Sequence, residues 1–209
     1  PETISETELI DSIKGLNAKQ SVDAILVQMP LPKHINADSV VAVIAPDKDV
    51  DGFQNENIFV KPVLLQAVEE ILKSTGADLR DKKTVVICNS ELFCDSMRGL
   101  EKSLGLRISC LNLKQLVGSP HIVAETNKAD IMIVAAGIPR LVTSALIKNG
   151  AIIVDIGTNR TETGGIEGDV APTAYKHASF YTPVPGGVGP VTVACLLRNA
   201  VELAKLRQK

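Results

Sequence analysis

Several features that would place a protein in a special class are missing from this chain of 209 residues. No apolar run reaches the roughly 18 residues that a membrane-spanning helix requires. The formal net charge is −2, so no basic excess indicates a nucleic acid or a membrane surface as a partner. Hydrophobic residues make up 45% of the sequence and charged residues 22%, which is typical of a soluble protein with one large or two small domains.

The few cysteines and histidines are scattered along the chain rather than grouped. Cys88, Cys94, Cys110 and Cys195 form no Cys-x-x-Cys pair. We therefore expect neither a metal site nor a disulfide scaffold. Such cysteine usage is typical of a reducing compartment, so we predict a cytoplasmic protein, with an organelle matrix as the alternative.

Before residue 75, the apolar residues indicate separate helices and one strand. Residues 6–17 have apolar side chains at helical spacing, and 22–28 is a short apolar run that ends at prolines, which predicts a buried strand. Residues 38–44 predict a short helix, and 62–74 predict a long helix with a proline in its first turn.

After residue 75, strands and helices alternate. Apolar runs predict strands at 84–88, 107–111, 131–135 and 151–156, and helices near 96–104, 122–127 and 143–149. Continuous apolar strands joined by helical crossovers indicate a parallel sheet that is covered on both faces and binds ligands at the carboxyl ends of its strands. A long amphipathic helix at 190–206 follows.

The predicted fold class is therefore α/β, with a Rossmann-type parallel-sheet domain and a partial amino-terminal α/β domain bridged by two long helices. We place the amino-terminal domain at 1–74, the Rossmann-type domain at 75–185, and a carboxyl-terminal helix that packs back on the first domain at 186–209.

The turn after the first predicted strand of the sheet has no glycine, although a dinucleotide-binding turn usually has several. It reads CNSELFCDS from Cys88, and Glu91 and Asp95 would set negative charge near a pyrophosphate. The second strand ends at Asn112 without an acidic residue to hold a ribose, and Lys114 nearby favours a 2′-phosphate only weakly. These residues argue against a tight dinucleotide site.

Four other segments carry candidate chemistry, each with a plainer alternative. The loop YTPVPGGVGPVT at 181–192 suits a flat or anionic ligand but also suits a tight connector. PDKDVDGF at 46–53 offers a carboxylate for a polar heterocycle or is a solvated acidic turn. Gln28 orients a neighbouring polar group or is an ordinary strand-end residue. Asp169 is interpreted as a cap of a turn or helix.

Taken together, the segments VDAILVQMPLPKHI, APDKDVDGF, AAGIPRLV, IIVDIGTNR, GDV and TPVPGGVGPVTVACLL resemble one family in order and spacing. It is the bifunctional methylenetetrahydrofolate dehydrogenase/methenyltetrahydrofolate cyclohydrolase family, and the resemblance covers essentially the whole chain. It implies NAD(P)-dependent oxidation of 5,10-methylenetetrahydrofolate, hydrolysis of the product to 10-formyltetrahydrofolate, and a homodimer. Fold alone would not reproduce these ordered segments, which makes a different Rossmann dehydrogenase improbable.

The resemblance also assigns roles to particular residues. Asp51 matches the residue that binds the pterin ring, and Gln28 matches the glutamine that partners the catalytic lysine. The implied substrate-binding loop is Pro185, Gly186, Gly187 and Val188. The implied contacts of NADP, or of NAD, in what we expect to be a weak site, are Cys88, Asn89, Ser90, Gly137, Thr158 and Thr192.

The sequence departs from the family pattern at three places. The family's catalytic lysine lies in a Tyr-x-x-x-Lys motif that these residues do not contain, so we expect no residue of the chain to take that role. Pro62-Val63-Leu64-Leu65 stands where the family has Pro-Cys-Thr-Pro. The loop Gly-Arg-Ser-x-x-Val-Gly becomes CNSELFC, in which Ser90 alone survives. These departures support an alternative hypothesis, namely a non-catalytic folate-binding or dimer-partner relative with a degenerate cofactor site.

Overall fold

The computed structural model describes residues 3–54, 57–113 and 121–207. The chain divides into two compact units. The first unit combines Pro1–Gln66 with Val193–Lys209, and the second unit is Ala67–Thr192. Each boundary between the units falls inside a helix, α3 (Val63–Ser74) or α7 (Val188–Arg207).

The first unit begins with two capped helices, α1 (Glu6–Ala18) and α2 (Ala37–Ala42). Ser5 and Glu8 form a capping box at the start of α1, and the Asn36 side chain accepts two backbone N–H bonds at the start of α2. A core of buried aliphatic residues packs these helices together: Ile13, Ile25, Val27, Ile35, Val40 and Ile44.

The strand predicted at 22–28 is wrong as a regular element. Its only bridge within the described residues joins Ile25 to Asp49 in parallel. Turns flank the partner segment, since the Lys48 N–H donates to the Ala45 carbonyl and the Gly52 N–H donates to the Asp49 carbonyl. A ladder cannot extend along a partner that turns on both sides.

Lys48 is the largest polar side chain in the interior of the first unit. It is 1% exposed, and its Nζ donates to the carbonyl oxygens of Leu16, Asn17 and Lys19 at 3.1, 2.6 and 2.8 Å. These carbonyls lie at the end of α1, where helical C=O groups have no partner within the helix and the helix dipole favours a cation. Lys48 therefore caps the carboxyl end of α1 from a distant position in the sequence.

The second unit is built on a five-stranded parallel sheet in the order β2-β1-β3-β4-β7. The central strands are fully buried, so both faces of the sheet are covered. A two-stranded antiparallel pair, β5–β6, stands apart from the sheet. The strands are β1 (Lys83–Cys88), β2 (Arg107–Asn112), β3 (Ile131–Ala135), β4 (Ala151–Asp155), β5 (Asn159–Arg160), β6 (Ile166–Glu167) and β7 (Ala178–Tyr181).

The α/β fold class and the four predicted strands of the sheet are confirmed. The helix predicted at 96–104 is two short helices, α4 (Glu91–Met97) and α5 (Gly99–Leu104), and α6 (His121–Thr126) follows. The helix predicted at 143–149 is wrong, because only a 3₁₀ turn forms at Ser144–Leu146. Strand β7 was not predicted, since its alternating half-buried residues lack the continuous apolar run of the central strands.

The sequence indicated no disulfide scaffold, and it did not predict the one disulfide that the structure contains. Cys94 in α4 and Cys110 in β2 are joined, with their Cα atoms 6.1 Å apart. Their separation of 16 residues resembles no motif, and only the packing of α4 beside the sheet brings them together. Cys88 and Cys195 are buried and take no part in a disulfide.

Candidate functional site

The carboxyl ends of the parallel strands meet at one edge of the second unit, which is where such sheets bind ligands. Strand β1 ends at Cys88 and β3 ends at Ala135 beside it. The Asn89 side chain, directly after β1, donates to the Ala136 carbonyl at 3.1 Å. This bond joins the loop after β1 to the loop after β3.

Asp169 organises the loop after β3. Its buried carboxylate accepts backbone N–H bonds from Ala136, Gly137 and Ile138 at 2.6, 3.0 and 3.0 Å, and one from the Asn159 side chain at 2.8 Å. Four donors offset the cost of burying the charge. Asp169 therefore does more than cap one turn or helix, because its carboxylate joins its own segment to residues 136–138 and to Asn159.

Asp155, at the end of β4, does the same for the neighbouring segments. It is 0% exposed and accepts from the backbone N–H groups of Gly157, Asp169 and Val170 at 2.9, 3.1 and 2.9 Å. The Tyr175 hydroxyl donates a fourth bond at 2.9 Å. Burial raises the pKa of Asp155 above its ordinary value, although all four donors favour the carboxylate.

Two glycines make this arrangement sterically possible. A Cβ at Gly157 would overlap the Asp169 side chain, and a Cβ at Gly168 would overlap the Asp155 carboxylate. Gly157, Gly168 and the two aspartates therefore form one frame, which we call the aspartate frame. Sequence analysis missed it, because its donors come from segments far apart in the chain.

Three of the six predicted cofactor residues lie on loops of this edge with room for a ligand. Asn89, Gly137 and Thr158 are exposed. Gly137 has φ +66°, and a Cβ there would meet only the Asn89 amide nitrogen, at 3.9 Å. A flat group can approach this backbone closely.

The other three predicted cofactor residues are engaged within the protein. The Ser90 hydroxyl caps α4 by accepting from the Phe93 N–H at 3.3 Å. Cys88 is buried, its thiol donates to the Ser90 carbonyl, and burial raises its pKa. The Thr192 hydroxyl donates to the Val188 carbonyl inside α7. None of the six residues is a cation, so these six offer a nucleotide no positive charge.

The predicted substrate loop, residues 185–188, leads directly into α7. Gly187 packs tightly against the preceding turn, since a Cβ there would lie 2.5 Å from the Pro183 carbonyl oxygen and 2.7 Å from Thr182 Cβ. Gly186 has φ +102°, which side chains rarely adopt. The shape of the loop therefore requires both glycines.

In the first unit, Asp51 is the candidate substrate-binding carboxylate. Its side chain accepts no hydrogen bond from the described residues, whereas the neighbouring Asp49 accepts from Gly52, Gln54 and Asn57. Burial, followed by repulsion from Asp49, raises the pKa of Asp51 to about 6. A desolvated carboxylate without an internal partner is suited to grip a ligand with N–H donors.

A buried amide network holds the backbone at Val50, directly before Asp51, and at Lys61. The Asn199 side chain, on α7, donates to the carbonyls of Val50 and Lys61 at 2.9 and 3.1 Å. Gln66 donates to the Asn199 side-chain oxygen at 2.8 Å and to the Lys61 carbonyl at 2.8 Å. Sequence analysis missed this network, because the chain separates its members by more than 130 residues.

Gln28 is exposed, and its side-chain amide donates to the Met29 carbonyl at 3.0 Å. Gln28 and Asp51 follow the two residues of the parallel bridge, Ile25 and Asp49, in the same chain direction. Asp51 lies inside the turn that the Gly52 N–H closes on the Asp49 carbonyl.

These features define an α/β protein whose second unit has the fold and the open strand-end loops of a nucleotide-binding domain. Residues 62–208 match the model of the tetrahydrofolate dehydrogenase/cyclohydrolase NAD(P)-binding domain, and residues 1–51 match the model of the catalytic domain of the same family. The chain belongs to the tetrahydrofolate dehydrogenase/cyclohydrolase family.

Individual relatives agree with this assignment. The bifunctional protein FolD of Geobacillus thermodenitrificans is 42% identical over 214 residues, which cover 98% of this chain and 74% of that protein. FolD of Wolinella succinogenes is 39% identical over 219 residues, which cover 100% of this chain and 75% of that protein.

Solved structures of the family have the same fold. The Campylobacter jejuni FolD dehydrogenase/cyclohydrolase has a TM-score of 0.88 at 39% identity, over 99% of this chain and 75% of that one. The Trypanosoma brucei enzyme, solved with NADP cofactor and an inhibitor, has a TM-score of 0.87 at 30% identity, over 99% of this chain and 74% of that one.

In the part of the chain that the structure describes, none of the helices combines the length and the hydropathy that crossing a membrane requires.

Proposed function

We propose that this chain acts in one-carbon folate metabolism, in the NAD(P)-dependent oxidation of 5,10-methylenetetrahydrofolate and the hydrolysis of the methenyl product to 10-formyltetrahydrofolate. Family membership supports the reaction class. The observation that carries the proposal in the structure is Asp51, whose carboxylate is partly desolvated, has no hydrogen-bond donor among the described residues, and has its backbone fixed by Asn199.

Asp51 is proposed to bind the pterin ring. The ring presents neighbouring N–H donors, and an ionised carboxylate accepts two parallel bonds from such a pair. The Asn199 bond to the Val50 carbonyl holds the backbone directly before Asp51 in place before the ligand arrives, so little ordering opposes binding. The pKa of about 6 means that the carboxylate is ionised at neutral pH and ready to accept.

The proposed cofactor, NADP or NAD, accepts the hydride of the oxidation when bound. The residues proposed to contact it are Cys88, Asn89, Ser90, Gly137, Thr158 and Thr192. In the described structure these residues lie on loops that are held in place. The aspartate frame and the Asn89 bond to Ala136 fix the loops after β1 and β3, and Gly137 leaves the surface of the second loop without a side chain. Hydride transfer depends on alignment more than on acid–base groups, and fixed loops provide alignment.

Residues 185–188 are proposed to lie beside the substrate and the nicotinamide ring. The two constrained glycines hold this loop in one shape, which leaves a smooth backbone surface for flat rings. Ring opening of the methenyl product by water needs proton transfer. Gln28 is proposed to orient the group that moves this proton, as its counterpart in the family partners a lysine.

A direct test measures binding by isothermal titration, first with tetrahydrofolate and then separately with NADP and NAD. We expect Asp51→Asn to weaken tetrahydrofolate binding at least about tenfold, the loss of one charge-assisted bond. The matched control is Asp11→Asn, which alters an exposed carboxylate on α1 whose ion pair within the described residues is with Lys14, at 3.7 Å. Equal folate affinity in Asp51→Asn and the wild type would overturn the assignment.

A second candidate function is a folate-binding or dimer-partner relative without dehydrogenase activity. The observation that favours it is the Cys88–Asn89–Ser90 turn. This turn has no cationic side chain, and its Ser90 hydroxyl already caps α4. Folate binding without nicotinamide binding in the same titration would select this candidate, and binding of both would select the enzyme.

Further proposals concern the whole molecule. We propose domains at 1–74, 75–185 and 186–209, a homodimer, a cytoplasmic location, and no nucleic-acid or membrane partner. Light scattering after size-exclusion chromatography tests the dimer, because a monomer mass at micromolar concentration would contradict it.

A further inference from the structure

The bonded pair Cys94–Cys110 joins two different elements of the second unit. Cys94 lies in α4, and Cys110 lies in β2, where it pairs in register with Val86 of β1. The Cα–Cα distance of 6.1 Å falls inside the range of roughly 4.4–6.8 Å that disulfides span. The two backbones therefore already stand where a disulfide requires them.

The two sulfurs differ in accessibility. Cys94 is buried, with 6% of its surface exposed, whereas Cys110 is only partly buried. A dissolved thiol or disulfide therefore reaches Cys110 first, and Cys94 is the cysteine that completes the bond from inside. The other two cysteines, Cys88 and Cys195, are both buried, which leaves Cys110 as the most accessible cysteine of the chain.

The bond also has a specific place in the fold. Asn89 and Ser90, the turn that leads into α4, belong to the carboxyl edge of the sheet. Cys110 lies two residues before the end of β2, which reaches the same edge at Asn112. Reducing the bond would free α4 from β2 beside the loop that the nucleotide is proposed to contact.

We propose that Cys94 and Cys110 form a reversible dithiol/disulfide site, oxidised by a low-molecular-weight disulfide of the glutathione class. The Cys110 thiolate attacks one sulfur of that disulfide, releases one thiol and forms a mixed disulfide. The Cys94 thiolate then attacks the Cys110 sulfur and releases the second thiol. In sum, two protein thiols and one small disulfide give one protein disulfide and two small thiols, with two electrons passing to the small molecule.

This proposal does not depend on the folate reaction. A protein in a reducing compartment keeps most thiols reduced, so a pair that closes there acts as a sensor rather than as a permanent staple. Closing a loop of 16 residues restrains α4 against local opening. We expect the backbone amides of α4 to exchange with deuterium at least about tenfold more slowly in the oxidised protein.

The test equilibrates the full chain in glutathione buffers of increasing oxidised fraction, quenches with acid, and measures intact mass. The wild type is expected to become lighter by two hydrogen atoms, and reversibly so when reduced glutathione is restored. Cys94→Ser is expected to accumulate one glutathione on Cys110, whereas Cys110→Ser is expected to accumulate little, because Cys94 is buried. Cys195→Ser is the matched control and is expected to behave as the wild type.

Several outcomes would overturn the proposal. The first is free thiols in the wild type at the most oxidising ratio, and the second is a stable glutathione adduct in place of the internal bond. A third is equal deuterium exchange of α4 in the oxidised and reduced wild type, which would mean that the bond forms without restraining the helix.

Discussion

Replacing Lys48 by methionine tests whether a buried cation holds α1 in place. Methionine retains most of the apolar length of the side chain but removes all three bonds to the carbonyls of Leu16, Asn17 and Lys19. Hydrogen bonds from a charged group contribute roughly 1.5 kcal/mol or more each. A cation at a helix carboxyl end adds about 0.5 kcal/mol.

The gross loss in the methionine variant is therefore about 5 kcal/mol. The wild type, however, spends roughly 2 kcal/mol to remove the ammonium from water, and the variant avoids that cost. We expect a net decrease in the free energy of unfolding of about 3 kcal/mol, which lowers Tm by roughly 6–12 °C in a chain of this size.

The assay is thermal and urea unfolding followed by circular dichroism, with Lys14→Met as the control. Lys14 is on the exposed face of α1, and in the described part of the chain its ion pair is with the exposed Asp11. Its replacement should therefore change the free energy of unfolding by less than about 0.5 kcal/mol. Equal stability of the two variants would refute the reasoning, since it would mean that the end of α1 needs no internal cation.

Other predictions concern the two candidate sites. The pKa of Asp51 is higher in the folded chain than in the unfolded chain, so ionisation of Asp51 destabilises the folded state above pH 6. The Asp51→Asn variant should therefore have a higher Tm than the wild type at pH 7.5. That difference in Tm should disappear as the pH falls from about 6 to 4. Equal melting at pH 7.5 would contradict the raised pKa. Asp169→Asn removes acceptor capacity beneath Ala136, Gly137 and Ile138 and should weaken NADP binding at least about tenfold, while tetrahydrofolate affinity in the first unit stays within twofold. Parallel losses of both ligands, measured by titration, would show general unfolding instead. Gly187→Ala should lower the free energy of unfolding by roughly 2 kcal/mol or more, because the added Cβ would overlap the Pro183 carbonyl. Gly189→Ala in α7 is the control, because its added Cβ meets open space. Equal Tm values of the two variants would count against a fixed loop.

The sheet of the second unit could be predicted from the sequence because its central strands are continuous apolar runs. Strand β7 was not predicted because its four residues alternate between half-buried and exposed positions, a pattern that loops also have. The strand expected at 22–28 has the right composition but a partner that turns at Ala45–Lys48 and again at Asp49–Gly52. Composition indicates that a segment is buried, but only the partner decides whether a ladder forms.

The candidate site was predictable to a different extent. Family resemblance indicated Asp51, Gln28 and the loop residues, although their roles remain proposals. It did not indicate what holds them. Asp169 and Asn199 bond to backbone groups 33 and 149 residues away in the chain, and Gln66 bonds to the Asn199 side chain 133 residues away. A single sequence carries no signal for such pairings. The Cys94–Cys110 pair was missed for the same reason.

The aspartate frame has a consequence for how this chain can change over time. Gly157 touches Asp169, Gly168 touches Asp155, and Asp155 accepts the Asp169 N–H, so altering any one of the four leaves the others in conflict. In the turn at Cys88–Ser90 the side-chain bonds are separate from one another: the Ser90 hydroxyl caps α4, and the Asn89 amide donates to the Ala136 carbonyl. Replacements can therefore accumulate singly in that turn but must arrive together in the frame. We therefore expect single replacements to be tolerated more readily in the turn after β1 than in the frame after β4.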